Sequence, residues 1–402
     1  MEIIITANSP GEIAGLAFPV VRALKEATPE VKVTIMLLPC PFSSGREEQV
    51  AKSIDGVDRV MDVFTTLSFI FLCKNPGFDK DVRMLHLGGD PFFAVLISCS
   101  LKCPVWAYEW AQKKWDGFFT GYFARDDKNK ERLFKSKIPV GKVIVAGDLL
   151  TDAVEIRCAQ SPHVSPFEGL TVTLMPGSRF HEIINLIPLF AATCEIIRKE
   201  FPKSRFFLPL SPFLDRENLK KQSPYSPQPD GPGVKVSFQD NTFITESGLE
   251  IDVGFNSGSL LPISDFIITI PGTSTGEAGA MGVPFYCILP MNRPELIPYM
   301  GIFGLAGYIP VIGRHFKRAF IQFLANHTKG RLLALPNIKA GRMVSPESIE
   351  VISPQILFDR IRPYLEDKSK RDRIKKELLD VYRPYRRAAE VIVKYITNYS
   401  KC

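Results

Sequence analysis

The chain has 402 residues, 45% of them hydrophobic and 23% charged, with a formal net charge of +7. This is too much chain for one ordinary core, so two α/β-sized units are expected, and the modest basicity suits phosphate-bearing substrates, an anionic membrane surface or mere solubility, with no nucleic-acid partner expected. Eight scattered cysteines with no C-x-x-C and no zinc spacing exclude a zinc site and read as reduced cytosolic thiols; no metal and no cofactor are expected.

Met1 to Ile5 runs straight into an apolar strand without a basic, cleavable leader, which predicts a cytoplasmic protein. No run reaches the roughly 18 to 20 uncharged apolar residues of a membrane span, so any membrane contact is expected to be peripheral. Short apolar runs alternating with longer amphipathic ones predict β-α-β units around parallel sheets. In the first half, strands are expected over residues 2–6, 31–37, 83–87, 104–108, 117–123 and 142–146. The Ser/Pro-punctuated stretch 161–166 reads as a linker. Further strands are expected over 170–174, 205–210, 266–270, 284–289 and near 308–312, with helices over about 183–200 and from Glu277. Residues 211–264 read as loops with a hairpin, and 353–399 as terminal helices. The fold class is therefore α/β with two Rossmann-like domains.

Four loops sit where such folds do chemistry. The first strand ends in Asn8-Ser9-Pro10-Gly11-Glu12 and opens a helix. Exposed amides and the positive end of the helix dipole favour an anionic group there, which makes Ser9, Gly11 and Glu12 candidates for acceptor binding. Strand 83–87 ends in Gly88-Gly89-Asp90-Pro91, so Asp90 lies just beyond a carboxyl strand end. It is the candidate general base, its alternative role being a helix cap. His86 nearby is a candidate to tune or replace Asp90, or a structural strand histidine.

In the second half, Pro176-Gly177-Ser178-Arg179 follows a strand and precedes a helix. Gly177 and Ser178 bring backbone close to a phosphate, and Arg179 pairs with it bidentately. The run Gly272-Thr273-Ser274-Thr275-Gly276-Glu277 offers Gly272, Thr273, Ser274 and Thr275 to a pyrophosphate. Glu277 is suited to the vicinal hydroxyls of a ribose, because a carboxylate has two acceptor oxygens.

These loops, in this order, resemble the lipid A disaccharide synthases, inverting glycosyltransferases with two facing Rossmann-like domains (GT-B). The Val105-Trp106-Ala107-Tyr108 stretch and the run Leu335-Pro336-Asn337-Ile338-Lys339-Ala340-Gly341-Arg342, close to a family Leu-Pro-Asn-x-x-Ala-Gly-Arg signature, carry the resemblance furthest. It implies an N-terminal acceptor and membrane-facing domain over 1–160, a nucleotide-sugar donor domain over 167–350, and C-terminal helices over 353–402 packing back across the junction. It also implies a UDP-linked sugar donor, a glycolipid acceptor, Asp90 as base, Arg179 on the donor phosphates and Glu277 on the ribose. The apolar stretch 63–73 matches a membrane-facing segment of the family. Phe64, Leu67, Phe69, Phe71 and Leu72 are thus candidates to enter lipid, with Lys74 and Lys80 near headgroups and the protein peripheral on the inner face of the cytoplasmic membrane. Three departures, most of them on the acceptor side, are Ser-Pro-Gly-Glu for the usual Ser-Gly-Asp, Asp148 for a histidine, and Pro91-Phe92-Phe93 after Asp90. A different lipid-linked acceptor, a UDP-N-acetylglucosamine 2-epimerase and a non-catalytic UDP- or lipid-binding relative stay open as alternatives.

Overall fold

The computed structural model describes residues 1–40, 43, 45–72, 77–162, 167–214, 216–227, 231–254, 256–292 and 332–399. The chain forms two compact units. Unit 1 holds Met1–Gln160, Pro212–Leu214 and the segment from Tyr382 onward; unit 2 holds Ser161–Ser211 and Asp215–Val381.

Unit 1 is built on strands β1 (Glu2–Ala7), β2 (Lys32–Leu37), β3 (Arg59–Met61), β4 (Val82–His86), β5 (Val105–Tyr108), β6 (Gly121–Ala124) and β7 (Val143–Val145), ordered β3-β2-β1-β4-β5-β6-β7. Every pairing is parallel; Ile5 stands between Ile35 and Leu85. Because side chains alternate across a strand, Ile3 and Ile5 enter one core layer while Ile4 enters the other with Met36 and Met84. Covering both faces in this way is why β1 reads as an unbroken apolar run. The chain's last described helix, Ala388–Thr397, packs on helices Phe18–Ala27 and Leu149–Gln160 of the same unit. Its start is capped by Asp152, whose carboxylate accepts the Arg387 and Ala389 N–H groups at 2.8 Å each.

Unit 2 contains β8 (Leu170–Met175), β9 (Ser204–Leu208), β10 (Val236–Gln239), β11 (Thr242–Thr245), β12 (Glu250–Val253), β13 (Phe266–Thr269), β14 (Phe285–Pro290) and β15 (Glu347–Glu350), ordered β10-β11-β12-β9-β8-β13-β14-β15. The pairings β10–β11 and β11–β12 are antiparallel and the rest parallel. Helix Phe180–Glu200 is long and apolar enough to cross a membrane by length and composition, although Glu182 and Glu195 interrupt its uncharged run. Ile183, Ile187, Phe190 and Ile197 are nevertheless buried in the unit, and helix Pro354–Glu366 packs against it.

Several expectations change. The strand placed over 117–123 begins only at Gly121, because Lys113–Phe118 coils into a 3₁₀ turn. Strands β3 and β15 were not foreseen, and the 211–264 region carries a three-stranded meander. The strand expected near 308–312 lies outside the described residues. The helix expected from Glu277 starts at Thr273. Of the terminal helices, Pro354–Glu366 belongs to unit 2 and Ala388–Thr397 to unit 1.

Candidate functional site

Among the parallel-paired strands of each sheet the order reverses direction once, between β1 and β4 in unit 1 and between β8 and β13 in unit 2. Open α/β sheets bind ligands outside the carboxyl strand ends at such a reversal. All four loops named from the sequence fall there.

In unit 2 the loop after β8 turns through Gly177 at φ 115°, and a Cβ on this residue would coincide with the Glu182 carboxylate. Only glycine meets both demands. Glu182 accepts the Arg179 N–H at 3.0 Å through one oxygen and pairs with the Arg179 guanidinium at 3.0 Å through the other. The helix start is thereby closed as a capping box. Arg179 is held beyond the carboxyl end of β8 by this pair, partly exposed, with Ser178 half-buried beside it.

Across the reversal, helix Thr273–Ala280 follows β13 with Gly272 at its N-cap. The Ser274 hydroxyl bonds Thr269 at 2.8 Å, and that of Thr275 donates to the Gly272 carbonyl at 2.7 Å while accepting the Leu335 N–H at 3.0 Å. Both hydroxyls are therefore turned into the loop. What faces outward is Gly272 and Thr273, exposed at the positive end of the helix, with Glu277 half-buried one turn along.

The 335–342 signature proves to be a brace. Asn337 is fully buried; its amide donates to the Ser345 carbonyl and to Glu347 at 2.8 and 2.9 Å, and its carbonyl accepts the N–H groups of Val344 and Ser345 at 2.7 and 3.0 Å. Glu347 also takes the Leu333 and Ala334 N–H groups, and Leu335 then holds Thr275.

In unit 1 the helix after β1 opens at Pro10 with Ser9 as N-cap, and continues through a π-helical turn over Ile13–Ala17. Ser9, Gly11 and Glu12 are half-buried. Glu12 folds back to accept the Asn8 N–H at 2.7 Å, and its carboxylate lies against Gly88, where a Cβ would coincide with it. The loops after β1 and β4 are thus in direct contact through one carboxyl group. Burial pushes that carboxyl up to about 7 against the pull of hydrogen bonds from Asn8 and Ser9.

Asp90 is exposed and caps helix Pro91–Leu101, accepting the Phe92 N–H at 2.9 Å. His86 is buried beneath, with Nδ1 2.8 Å from the Thr6 hydroxyl and Nε2 without a hydrogen-bond partner. Burial pushes it down to about 4, against the charge of Asp90, so it is neutral.

One group at this edge was missed. Glu109, directly after β5, has φ 63°, pairs with Arg125 at 3.1 Å, and is raised by burial against the pull of Arg125. A lone acidic residue after a strand gives no sequence signal that separates it from a surface carboxylate.

The apolar helix Val63–Leu72 splits into two faces. Phe64, Phe71 and Leu72 are 78%, 61% and 62% exposed, and Leu67 is half-buried. Phe69 corrects the lipid-entering set: it is 5% exposed, packed edge-on to Phe78 at 5.4 Å in the unit 1 core, and is not available to lipid. Lys74 lies outside the described residues; Lys80 is exposed. Among the described residues no group of three or more His, Cys, Asp or Glu side chains converges to hold a metal.

No family model matches the chain. It is 28% identical over 205 residues to a lipid-A-disaccharide synthase of Pseudomonas aeruginosa, covering 51% of this chain and 43% of that protein. With the synthase of Paraburkholderia xenovorans it shares 26% over 236 residues, 57% of this chain and 49% of that one. The chain spans about half the length of the curated relatives it matches. Among solved structures, a UDP-N-acetylglucosamine 2-epimerase superposes with TM-score 0.58 at 13% identity, covering 100% of this chain and 97% of the other. The Neisseria meningitidis UDP-GlcNAc 2-epimerase bound to UDP-GlcNAc gives 0.54 at 13%, over 99% and 100%. Acinetobacter baumannii MurG gives 0.50 at 13%, over 99% of each. These likenesses establish the fold: α/β, with two Rossmann-like units of the GT-B class.

Proposed function

We propose that the chain is an inverting UDP-sugar glycosyltransferase that moves an acylated glucosamine from UDP to 2,3-diacylglucosamine 1-phosphate, giving a β-1,6-linked disaccharide and UDP. The observation that carries this is the pair of loops at the β8–β13 reversal, where Arg179 and the outward amides of Gly272 and Thr273 suit a diphosphate. Unit 2 then binds the donor: Arg179 with Gly177 and Ser178 on one side, the 272–275 turn on the other, neutralise the charge that develops on the leaving UDP. Glu277 holds the ribose hydroxyls. Unit 1 supplies the proton acceptor, a role for which the resemblance implies Asp90, and offers Ser9, Gly11 and Glu12 to the acceptor. The similarity to lipid-A-disaccharide synthases supports the acylated substrates. The exposed Phe64, Phe71 and Leu72 suit a peripheral site on the inner face of the cytoplasmic membrane.

The test is to incubate the full chain with UDP-2,3-diacylglucosamine and 2,3-diacylglucosamine 1-phosphate in mixed micelles and to follow UDP and disaccharide. Both products are expected in equal amounts, and Arg179→Ala and Glu277→Ala should weaken UDP binding. One observation favours a second reading. Glu109 adds a third carboxylate to Glu12 and Asp90 among the residues that follow the carboxyl ends of the unit 1 strands, and an epimerase needs several acid/base groups around its sugar. Conversion of UDP-N-acetylglucosamine to its C2 epimer, with no disaccharide formed, would replace the transferase by that reading.

A further inference from the structure

We infer that Glu12, rather than Asp90, takes the proton from the acceptor hydroxyl. This rests on the transferase reading above. Three observations carry it. The Glu12 carboxyl stands at the contact of the two loops that flank the β1–β4 reversal, against Gly88, where a ligand of this unit would lie. It is held there by the Asn8 N–H, so its position does not depend on the substrate. Asp90, by contrast, is exposed and has one oxygen committed to the Phe92 N–H.

No cation neutralises Glu12: among the described residues it makes no ion pair. The charged groups of the helices packed on the turn Ile13–Ala17 that follows it are otherwise engaged: in Phe18–Ala27, Arg22 pairs with Glu26 and Lys25 with Asp58. From helix Leu149–Gln160, Asp152 caps Arg387 and Ala389, Glu155 pairs with Arg386, and Arg157 donates to the Ala14 carbonyl. From helix Glu47–Lys52, Glu47 accepts from Ser43 and Gly45, and Lys52 pairs with Glu48. His86 below is neutral and titrates far lower. A carboxyl pushed up to about 7 by burial is also a better proton acceptor at neutral pH than a solvated one, because a base works best near the operating pH.

The step balances without a further reactant. The acceptor oxygen forms its bond to the anomeric carbon as the bond from that carbon to the diphosphate oxygen breaks, the electron pair leaving with UDP. The hydroxyl proton passes to Glu12, which later releases it to water. Configuration inverts.

The experiment is the pH dependence of kcat/KM for disaccharide formation by the full chain and by Glu12→Gln and Asp90→Asn. Both replacements keep an oxygen for the backbone N–H they serve, and UDP binding and melting temperature check that each variant is folded. For wild type the rate should rise through about pH 7 and level off above it, since the base acts unprotonated. Glu12→Gln should lose about 10²-fold or more and lose that rise, with UDP affinity unchanged. Asp90→Asn should lower the plateau and keep the rise. A Glu12→Gln variant that keeps the rise, or an Asp90→Asn variant that loses it, overturns the assignment while the transferase stands. A folded, UDP-binding wild type that makes no disaccharide at any pH overturns the transferase reading and the role of Glu12 with it.

Discussion

In unit 2 the third residue of the helix after β8, Glu182, folds back onto its own loop, covers Gly177 and meets the guanidinium of Arg179. In unit 1 the third residue of the helix after β1, Glu12, folds back in the same way, but covers Gly88 of the neighbouring loop and meets no cation. One helix-opening device thus serves two ends. Paired, the carboxylate fixes an arginine beyond the carboxyl end of β8; unpaired and half-buried, it becomes a group that gains and loses a proton near neutrality. The difference teaches that the chemistry of such a loop is set less by the glutamate than by whether a charge of opposite sign is built in beside it.

The largest expected effect that would break the comparison is on stability. Folded Glu12 keeps its proton up to about pH 7, while an unfolded glutamate releases it near 4.5. The folded state therefore binds more protons between these values, and wild-type stability falls as pH rises through that window. At about 1.4 kcal/mol per pH unit the loss comes to about 3 kcal/mol above pH 7. Glu12→Gln should accordingly be the more stable protein at pH 8, by up to about 3 kcal/mol in urea unfolding, and gain nothing at pH 4. An equal gain at both pH values would mean that packing, and not a buried ionisable group, distinguishes the two proteins.

Next in size is Arg179→Lys. A lysine keeps the charge but loses the planar fork that serves Glu182 and a phosphate together, so UDP should bind about tenfold more weakly by calorimetry, about 1.4 kcal/mol. Unchanged affinity would remove Arg179 from the donor site and leave Glu182 as a purely structural cap.

What the sequence disclosed follows the same physics. Strands β1 and β8 are legible because both their faces are covered, which forces runs such as Ile3-Ile4-Ile5. Strand β3 has three residues and β15 reads Glu-Ser-Ile-Glu, short or charged as edge strands are, and neither leaves a pattern. The four loops were legible because glycine, proline and serine after a strand announce a helix opening. The contact of Glu12 with Gly88 was not, since it joins loops that only the strand order brings side by side. Phe69 was misread because helix Val63–Leu72 is apolar nearly all round, and only packing decides which face is covered. The Asn337 brace looked like a family mark and turns out to be a hydrogen-bond staple, a role that no spacing reveals.

The smallest expected effect sharpens the comparison from the other side. Glu182→Gln keeps an oxygen for the Arg179 N–H but removes the ion pair. Because the arginine is 36% exposed, the pair is screened by water and its loss should alter unfolding stability by less than about 1 kcal/mol. The guanidinium, no longer shared with a carboxylate, is then free to give its whole fork to a phosphate, and UDP should bind at least as tightly as to wild type. Weaker UDP binding in a stably folded Glu182→Gln protein would mean that the carboxylate aims Arg179 rather than competes for it. The glutamate of unit 2 would then be a positioning group, and the contrast with the proton-bearing Glu12 of unit 1 would be one of division of labour within a shared local geometry.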